Sequence, residues 1–324
     1  MQTALIIPVW NDLAGVERLV QQARQLACFS EVIIVDDASD PPLDETRLRE
    51  IWGANSGPLL LLRQGHQQGA GAARNRALEH VTSSHLLFFD ADDLLTTEIP
   101  PLLGDLAGKD FDFCLFRHHD SRVGRWGRYG QMAADDAHWR DAGVAVGALC
   151  EIDASQARRL AGISNYPWNK IYRRDFLRAH DIRCSETPVH NDIALHWLSF
   201  LHARRILTSD RVGARHFVAV KSNRLTNRSG RERLTVFGTL ETVATQLEDD
   251  TDKEHPLLPV FLRFSCYLFD WIGGFLDAAL RSEFHAATRD FLLAFAPRPV
   301  FARLARTDPV LARKITLQLA RGRS

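Results

Sequence analysis

Residues 86–93 read Leu-Leu-Phe-Phe-Asp-Ala-Asp-Asp, an apolar run that ends in three carboxylates within four positions. Four consecutive large apolar residues bounded by polar ones are typical of a strand that is buried on both faces. Like charges repel, so Asp90, Asp92 and Asp93 are costly side by side unless a cation or solvent compensates them. Carboxylate oxygens are ligands that Mg²⁺ and Mn²⁺ prefer. The stretch therefore predicts a buried strand that ends in a candidate metal site.

A helix cap is the ordinary alternative for the same carboxylates. Asp92 or Asp93 can accept a hydrogen bond from a backbone N–H at the start of a helix that follows Leu94. From the cluster alone, both interpretations remain open.

Apolar runs alternate with amphipathic ones through the first half of the chain, which is the pattern of a parallel sheet with helices on both faces. The predicted strands are 4–9, 32–35, 59–62, 86–89 and 111–116. Asn11 or Asp12 can cap the helix after the first strand. Ligands of such sheets bind beyond the carboxyl ends of the strands. We therefore expect the polar clusters at Asp36, Gly69 and Asp90 to lie close together.

Two of these clusters have chemistry of their own. The carboxylates of residues 36–40 can accept hydrogen bonds from a base or a ribose, although turn formation explains them equally well. Residues 69–75 combine glycines at a helix start with the guanidinium of Arg74, and both features suit an anionic phosphate. Neither a P-loop nor a dinucleotide fingerprint is present. A nicotinamide-dependent oxidoreductase is therefore disfavoured.

The later sequence predicts a change of architecture. Between about residues 118 and 167 the alternation fades, which favours a loop-rich acceptor region. Asn191 and Asp192 precede a helical run at 193–203, where a plain N-cap is the alternative to a functional role. From residue 232 the pattern is helical. We predict one domain over 1–231, with a nucleotide-binding half at about 1–117 and an acceptor-binding half at about 118–231, and a helical extension over 232–324.

Charge and composition exclude some classes of partner and location. The 40 basic and 40 acidic residues balance, so no nucleic-acid partner is expected. The five cysteines are widely spaced and predict free thiols. The first strand begins almost at Met1, and Arg263 interrupts the most apolar later stretch, so neither a signal peptide nor a membrane span is expected. These features predict a cytoplasmic protein, and the basic excess after residue 301 leaves a peripheral membrane contact open.

Five stretches, taken in order, resemble the family 2 glycosyltransferases of the GT-A fold. They are Ile7-Pro8-Val9-Trp10-Asn11, Val35-Asp36-Asp37-Ala38-Ser39, residues 69–75, Phe88-Phe89-Asp90-Ala91-Asp92-Asp93 and Trp168-Asn169-Lys170-Ile171-Tyr172-Arg173. The resemblance implies an inverting transferase that uses Mn²⁺ or Mg²⁺ and a nucleotide-diphospho-sugar. It implies that Asp92 binds the metal, Asp37 the nucleobase and Asp90 the ribose or donor sugar. The other residues implied at the donor site are Pro8, Val9, Asn11, Gly69, Arg74, Ala91 and Trp168.

The resemblance also nominates a general base. In the family this is an Asp preceded by Glu after the Trp-Asn-Lys stretch, and the place falls here on Asn191-Asp192. The Asp is kept and the Glu is not. Asp192 is therefore the implied base. A later basic stretch of the family is only loosely echoed, by Lys221, Asn223, Arg224 and Thr226.

The implied reaction transfers a hexosyl or N-acetylhexosaminyl group, with uridine as the expected base of the donor. The expected acceptor is a glycan or a lipid-linked glycan of cell-surface polysaccharide or glycolipid synthesis, and a homo-oligomer is left open. A GT-A-like nucleotidyltransferase is one alternative, but it would show a basic residue in place of Asp192. A non-catalytic sugar-nucleotide-binding scaffold is another, and intact Asp92 and Asp192 argue against it.

Overall fold

The computed structural model of the chain describes residues 1–124, 127–147, 149–218, 228–248, 255–295 and 299–321. The loosely matching basic positions Lys221, Asn223, Arg224 and Thr226 lie outside the described residues. The strands are β1 Thr3–Val9, β2 Glu31–Asp36, β3 Leu59–Arg63, β4 His85–Phe88, β5 Leu94–Leu95, β6 Phe113–Asp120, β7 Cys150–Ile152, β8 Lys170–Arg173 and β9 Ile206–His216.

Helices cover the sheet and make up the C-terminal region. They are α1 Leu13–Leu26, α2 Glu45–Trp52, α3 Ala70–His80, α4 Ile99–Leu106, α5 Ser121–Gly124, α6 Ala133–Asp141, α7 Ala154–Leu160, α8 Arg174–Ala179, α9 Ile193–His202, α10 Val236–Glu248, α11 Leu258–Phe275, α12 Arg281–Leu293, α13 Pro299–Thr307 and α14 Pro309–Arg321. Short 3₁₀ turns lie at Pro167–Asn169, Arg231–Thr235 and Ala278–Leu280.

The sheet has the order β3-β2-β1-β4-β8-β6-β9-β5, and β7 pairs with β9. Strands β1 to β4 are parallel, as the alternating pattern predicts. The rest of the sheet is mixed, because β8 runs antiparallel to both β4 and β6. Since β6 is separated from β4 by one antiparallel strand, the five predicted strands all run in the same direction, as the sequence predicts. Strand β8, which lies between them, is not among the predicted strands.

Two expectations from the sequence are corrected by the structure. The residues after Asp93 form the short strand β5, and the next helix begins only at Ile99 with Glu98 as its N-cap. The carboxylates at 90–93 are therefore not a helix cap. The segment 118–167 is also more regular than expected, since it holds the end of β6, helices α5 to α7 and β7.

Two apolar clusters flank the sheet, as strand alternation requires. In β1, Leu5 belongs to the cluster on the α1 side, and Ile6 belongs to the opposite one. That second cluster continues into the C-terminal helices, where Trp197 of α9 meets Phe261 of α11 at 5.1 Å between ring centroids. The boundary predicted at residue 231 stays a prediction. Among the described residues, no helix is both long enough and apolar enough to span a membrane.

Candidate functional site

The carboxylate turn at residues 90–93 lies at the carboxyl end of β4. The Asp93 N–H donates to the Asp90 carbonyl oxygen at 3.1 Å, which closes the turn. Asp90, Asp92 and Asp93 each offer one carboxylate oxygen, and these oxygens lie within 4.8 Å of one another. Three hard oxygen donors at this separation fit Mg²⁺ or Mn²⁺, which complete their coordination with water and phosphate. The sequence prediction of a metal site is thus compatible with the geometry.

Asp93 differs from the other two carboxylates because it is buried and accepts hydrogen bonds from the end of β9 and the residue after it. His216 at the end of β9 donates through Nδ1 to Asp93 Oδ1 at 2.9 Å, and the Phe217 N–H donates to the same oxygen at 2.9 Å. Burial raises the pKa of Asp93 above its ordinary value, although both donors oppose this effect. Sequence reasoning missed His216, since an isolated histidine far along the chain carries no pattern. Asp90 and Asp92 are the more accessible members of the turn.

Helix α1 approaches the carboxylate turn closely. Asp12 caps the helix by accepting from the Gly15 N–H at 3.0 Å, whereas Asn11 does not cap it. A Cβ on Gly15 would lie 2.7 Å from the Ala91 carbonyl oxygen, so only glycine allows this approach. Arg18 also donates to that carbonyl oxygen, at 3.2 Å. The backbone of Ala91 is therefore fixed by α1.

The end of β1 forms the floor beside the turn. Pro8 and Val9 are buried, and the Val9 carbonyl oxygen accepts from the Asp37 N–H at 2.8 Å. Trp10, the next residue, is 38% exposed. An exposed indole at the carboxyl end of a central strand offers a stacking surface, and the sequence analysis gave it no separate role.

The acidic loop after β2 is held by its first carboxylate. Asp36 is buried, accepts from the Ser39 N–H at 2.8 Å and pairs with Arg63. Burial favours a raised pKa, but these donors hold the pKa of Asp36 below its ordinary value. Asn11, at a left-handed φ of 52°, donates its N–H to Ser39 Oγ at 2.9 Å and accepts from the Asp40 N–H at 2.8 Å. Asn11 therefore fastens β1 to this loop.

The carboxylate of Asp37 connects the same loop to the residues before α3. It accepts from Gln64 Nε2 at 2.6 Å and from the backbone N–H groups of Gln68 and Gly69, both at 2.7 Å. A carboxylate has about four lone-pair sites, so three of them are already used. The nucleobase contact assigned to Asp37 stays a prediction, and its bonds to the 64–69 loop are a second role.

Asp37→Asn is expected to weaken both the fold and nucleotide binding. The amide keeps one acceptor oxygen and turns the other into a donor, so at least one N–H of Gln68 or Gly69 loses its partner. The free energy of unfolding should fall by about 1–3 kcal/mol. Urea denaturation and calorimetric titration with UDP measure the two effects, with the exposed Asp40→Asn as control. Weaker binding at unchanged stability would contradict the bridging role and favour a direct contact with the base.

Arg74 bridges the carboxylate turn and the loop before α9. It is 4% exposed, and its Nη2 donates to Asp90 Oδ1 at 2.5 Å while its Nη1 donates to Asn191 Oδ1 at 2.8 Å. Burial disfavours the charged guanidinium, but Asp90 outweighs it and raises the pKa of Arg74. Asn191 replaces the family's Glu and still accepts from Arg74. Donor contact by Arg74 stays a prediction.

The start of α3 packs directly on that loop. Asn75 accepts from the Cys184 N–H and donates to the Cys184 carbonyl oxygen, each at 2.9 Å. The Ser185 N–H donates to the Asn191 carbonyl oxygen at 2.9 Å, which closes the loop. A Cβ on Gly71 would overlap the Ser185 carbonyl oxygen and lie 2.8 Å from Asn191 Cβ. The glycine that was expected to approach phosphate thus approaches protein backbone.

Gly71→Ala should therefore disturb catalysis through the loop that carries Asp192. The new methyl group must displace Ser185 or Asn191, and overpacking of this kind costs about 1–3 kcal/mol of stability. The transfer rate should fall more than the affinity for UDP. Gly104→Ala in α4 is the matched control, since nothing lies within 4 Å of its Cβ and the change should stabilise the helix. Equal transfer rates for Gly71→Ala and Gly104→Ala would contradict this prediction.

Asp192 stands at the N-cap position of α9, but its side chain makes no capping hydrogen bond. The residue as a whole is partly exposed. Burial raises the pKa of Asp192 to about 6, and Arg74 and Lys170 lower it while Asp90 raises it. A carboxylate with this pKa is ionised at neutral pH and accepts a proton more readily than an ordinary Asp. The candidate base and the carboxylate turn are thus electrostatic neighbours.

Lys170, in the last matching stretch, is fully buried beside Asp192. Its ammonium donates to the Tyr166 carbonyl oxygen and to Asn169 Oδ1, both at 2.7 Å. Burial lowers the pKa of Lys170 to about 7, and Asp192 opposes this shift. The lysine of the Trp-Asn-Lys stretch therefore contributes to the electrostatic environment of the candidate base, after Arg74 and Asp90.

Trp168 lies under the site. It is 1% exposed, stacks on Tyr166 at 4.4 Å between ring centroids and packs against His216 at 5.1 Å. His216 in turn donates to Asp93. A ring this buried supports the carboxylate turn from the core. Its assignment to donor binding stays a prediction that this geometry does not favour.

The known sequences that the chain resembles are those of glycosyltransferases. A family model described as glycosyl transferase family 2 matches residues 4–180. A Mycobacterium tuberculosis protein named pre-mycofactocin glycosyltransferase is 35% identical over 88 residues, which are 27% of this chain and 17% of that protein. The matches to two further curated relatives span 48% and 54% of their lengths.

Comparison with solved structures gives the fold. TarS residues 1–349 of S. aureus, solved with UDP-GlcNAc, has a TM-score of 0.76 at 19% identity, over 100% of this chain and 90% of that one. The mannosyltransferase PcManGT of Pyrobaculum calidifontis, solved with GDP-Man and Mn²⁺, has a TM-score of 0.55 at 15% identity, over 99% and 86%. The chain therefore has the GT-A fold that its motifs predict, followed by helices.

Proposed function

Because the chain belongs to glycosyl transferase family 2, we propose that it transfers a sugar, with inversion, from a UDP-sugar to a hydroxyl of a glycan or lipid-linked glycan. The reaction is a single displacement at the anomeric carbon. It requires that the leaving diphosphate is stabilised and that the acceptor oxygen loses its proton. We assign stabilisation of the diphosphate to the carboxylate turn and removal of the proton to Asp192.

The observation that carries this proposal is the bridge made by Arg74. One side chain binds both Asp90 and Asn191, which lie 16 and 117 residues away in sequence. The bridge brings the candidate base beside the candidate metal site, as a displacement with a leaving group on one side and a base on the other requires.

The donor is assigned to the carboxyl ends of β1, β2 and β4. Asp92 would hold a divalent cation, which would supply positive charge to the leaving diphosphate, and Asp90 is assigned to the ribose or the donor sugar. Trp10 stacks on the base, and Asn11 and Asp37 keep the loop beside it in place. The residues assigned to the rest of the donor pocket are Pro8, Val9, Gly69, Arg74 and Ala91, and we assign Trp168 to the support of the carboxylate turn from the core.

Two likenesses support a nucleotide-diphospho-sugar donor and a metal. Proteins of this fold have been solved with UDP-GlcNAc and with GDP-Man and Mn²⁺. We propose Mn²⁺ or Mg²⁺, a hexosyl or N-acetylhexosaminyl group, and a cytoplasmic site of action in cell-surface polysaccharide or glycolipid synthesis. Contact of the basic C-terminal helices with the inner face of the membrane belongs to the same proposal.

A donor panel tests the proposal. Purified protein is incubated with uridine, guanosine and other nucleotide sugars, with Mn²⁺, with Mg²⁺ or with a chelator, and release of nucleoside diphosphate is measured. We expect metal-dependent release from one donor class, including slow hydrolysis without acceptor. Pyrophosphate release from a nucleoside triphosphate would instead identify a nucleotidyltransferase. Absence of any metal-dependent release would support a non-catalytic scaffold.

A further inference from the structure

Helix α11 carries a row of aromatic side chains that the reaction described above does not use. Tyr267, Trp271 and Phe275 are spaced four residues apart and form an aromatic ridge on one face of the helix. Tyr267 is 55% exposed and Trp271 49%, whereas the opposite face is buried in the core. Successive rings are one turn apart, about 6 Å along the axis, which is the length scale of one sugar ring.

All three rings of the aromatic ridge have a cation over one face. The Arg233 guanidinium carbon lies 5.0 Å from the centroid of Trp271 and 4.9 Å from that of Phe275, and Lys314 Nζ lies 3.8 Å from that of Tyr267. Arg233 itself is 1% exposed. Cations over a ring face fix its orientation. The remaining surface of each ring is thus presented to solvent in a fixed position, which reduces the entropy lost on binding.

The middle ring of the aromatic ridge contacts the loop that carries the candidate base. Trp271 meets the His190 ring edge-on at 6.1 Å between centroids. Arg233 Nη1 donates to His190 Nε2 at 3.1 Å, so the helical region holds this histidine. His190 is two residues before Asp192 and has a left-handed φ of 60°. A molecule bound at Trp271 therefore lies beside the loop that carries Asp192.

We propose that the aromatic ridge binds the sugar units of a glycan acceptor that lie behind the reacting hydroxyl, with Trp271 as the positioning residue. The inference rests on the proposed function. The C–H faces of sugar rings carry small positive charges, which the negative face of an aromatic ring attracts. Rings at successive helical turns suit a chain of such units. The C-terminal helices then select the acceptor while the sheet binds the donor.

A glycan fits the aromatic ridge better than an anionic membrane does. A membrane-surface helix exposes basic residues beside its aromatic ones. Here Arg233 is buried. Asp270 pairs with Lys314 at 2.5 Å and with the exposed Arg321 at 3.4 Å. Both of these cations are therefore engaged in ion pairs within the protein. This pairing favours a neutral, hydroxyl-rich partner over anionic lipid.

The experiment compares Trp271→Ala and Trp271→Phe with Leu13→Ala, a control at an apolar residue that is 45% exposed on α1. Helix α1 covers the opposite face of the sheet from the C-terminal helices. The probes are oligomers of glucose, galactose, mannose and N-acetylglucosamine of increasing length, and binding is measured by saturation-transfer NMR and tryptophan fluorescence. For the sugar that binds, we expect affinity to rise with length. Trp271→Ala should weaken it about tenfold, Trp271→Phe should restore most of it, and Leu13→Ala should leave it unchanged.

Kinetics separate this inference from the proposed function. With an oligomer that serves as acceptor, Trp271→Ala should raise the KM for acceptor about tenfold with little change in kcat or in affinity for UDP. The inference is overturned if Trp271→Ala binds every oligomer as tightly as the wild type does. It is also overturned if the wild type binds no oligomer. Ridge-dependent binding to phosphatidylglycerol vesicles or ridge-dependent dimerisation overturns it as well. Donor hydrolysis without acceptor tests the proposed function alone, since the aromatic ridge takes no part in it.

Discussion

Asp92→Ala is expected to abolish turnover and to remove the dependence of nucleotide binding on Mn²⁺ while leaving the fold intact. Asp92 is one of the two more accessible members of the carboxylate turn, and the other, Asp90, pairs with Arg74. Losing the carboxylate that we assign to the cation removes most of the attraction for the ion. Calorimetric titration with UDP, with and without Mn²⁺, measures the effect.

Thermal unfolding supplies the second readout for this variant. In the wild type, UDP with Mn²⁺ should raise the melting temperature, because a ligand of the native state stabilises it. Without metal, Asp92→Ala should remain folded, because removing one of several neighbouring carboxylates reduces their mutual repulsion. Asp175→Ala, which removes a carboxylate whose side chain is 66% exposed, should change neither property. Metal-dependent affinity retained at the wild-type level in Asp92→Ala would move the metal role to other carboxylates.

The strands around the site could be predicted because buried parallel strands are apolar on both faces. The run at 86–89 and the strand His85–Phe88 differ by one residue at each end. The run at 111–116 was shifted further, since β6 spans Phe113–Asp120 and ends in polar residues. The apolar runs therefore predicted where these strands lie. The ends of the strands depend on hydrogen bonds, which the apolar pattern does not indicate.

The contacts that assemble the site could not be predicted, because each joins residues far apart in sequence. His216 binds Asp93 across 123 positions, and Arg74 reaches Asn191 across 117. Neither histidine nor asparagine is part of a periodic pattern at those positions. The resemblance to a family nominated Asp192, but only the structure shows that Arg74 brings its loop to the carboxylate turn.

Asp192→Asn should lower the transfer rate by about 10²-fold or more while donor and metal binding remain nearly unchanged. The amide keeps the shape of the side chain and cannot accept the proton of the acceptor hydroxyl. Stability should change little, because the Asp192 side chain makes no capping bond and Arg74 keeps its bonds to Asp90 and Asn191. The measurements are single-turnover transfer, UDP titration with Mn²⁺ and thermal unfolding.

The pH dependence distinguishes a base from a helix cap. Burial raises the pKa of Asp192 to about 6, and a base acts only when deprotonated, so the wild-type kcat/KM should fall about tenfold per pH unit below that value and level off above it. Asp192→Asn should lack this acidic limb. If Asp192 were only a cap, Asn would replace it without loss in rate. His190 is a poor substitute base, because its Nε2 already accepts from Arg233 and burial lowers its pKa to about 3. A variant that keeps more than about a tenth of the wild-type rate would therefore direct the search for the base to the carboxylates of residues 118–167.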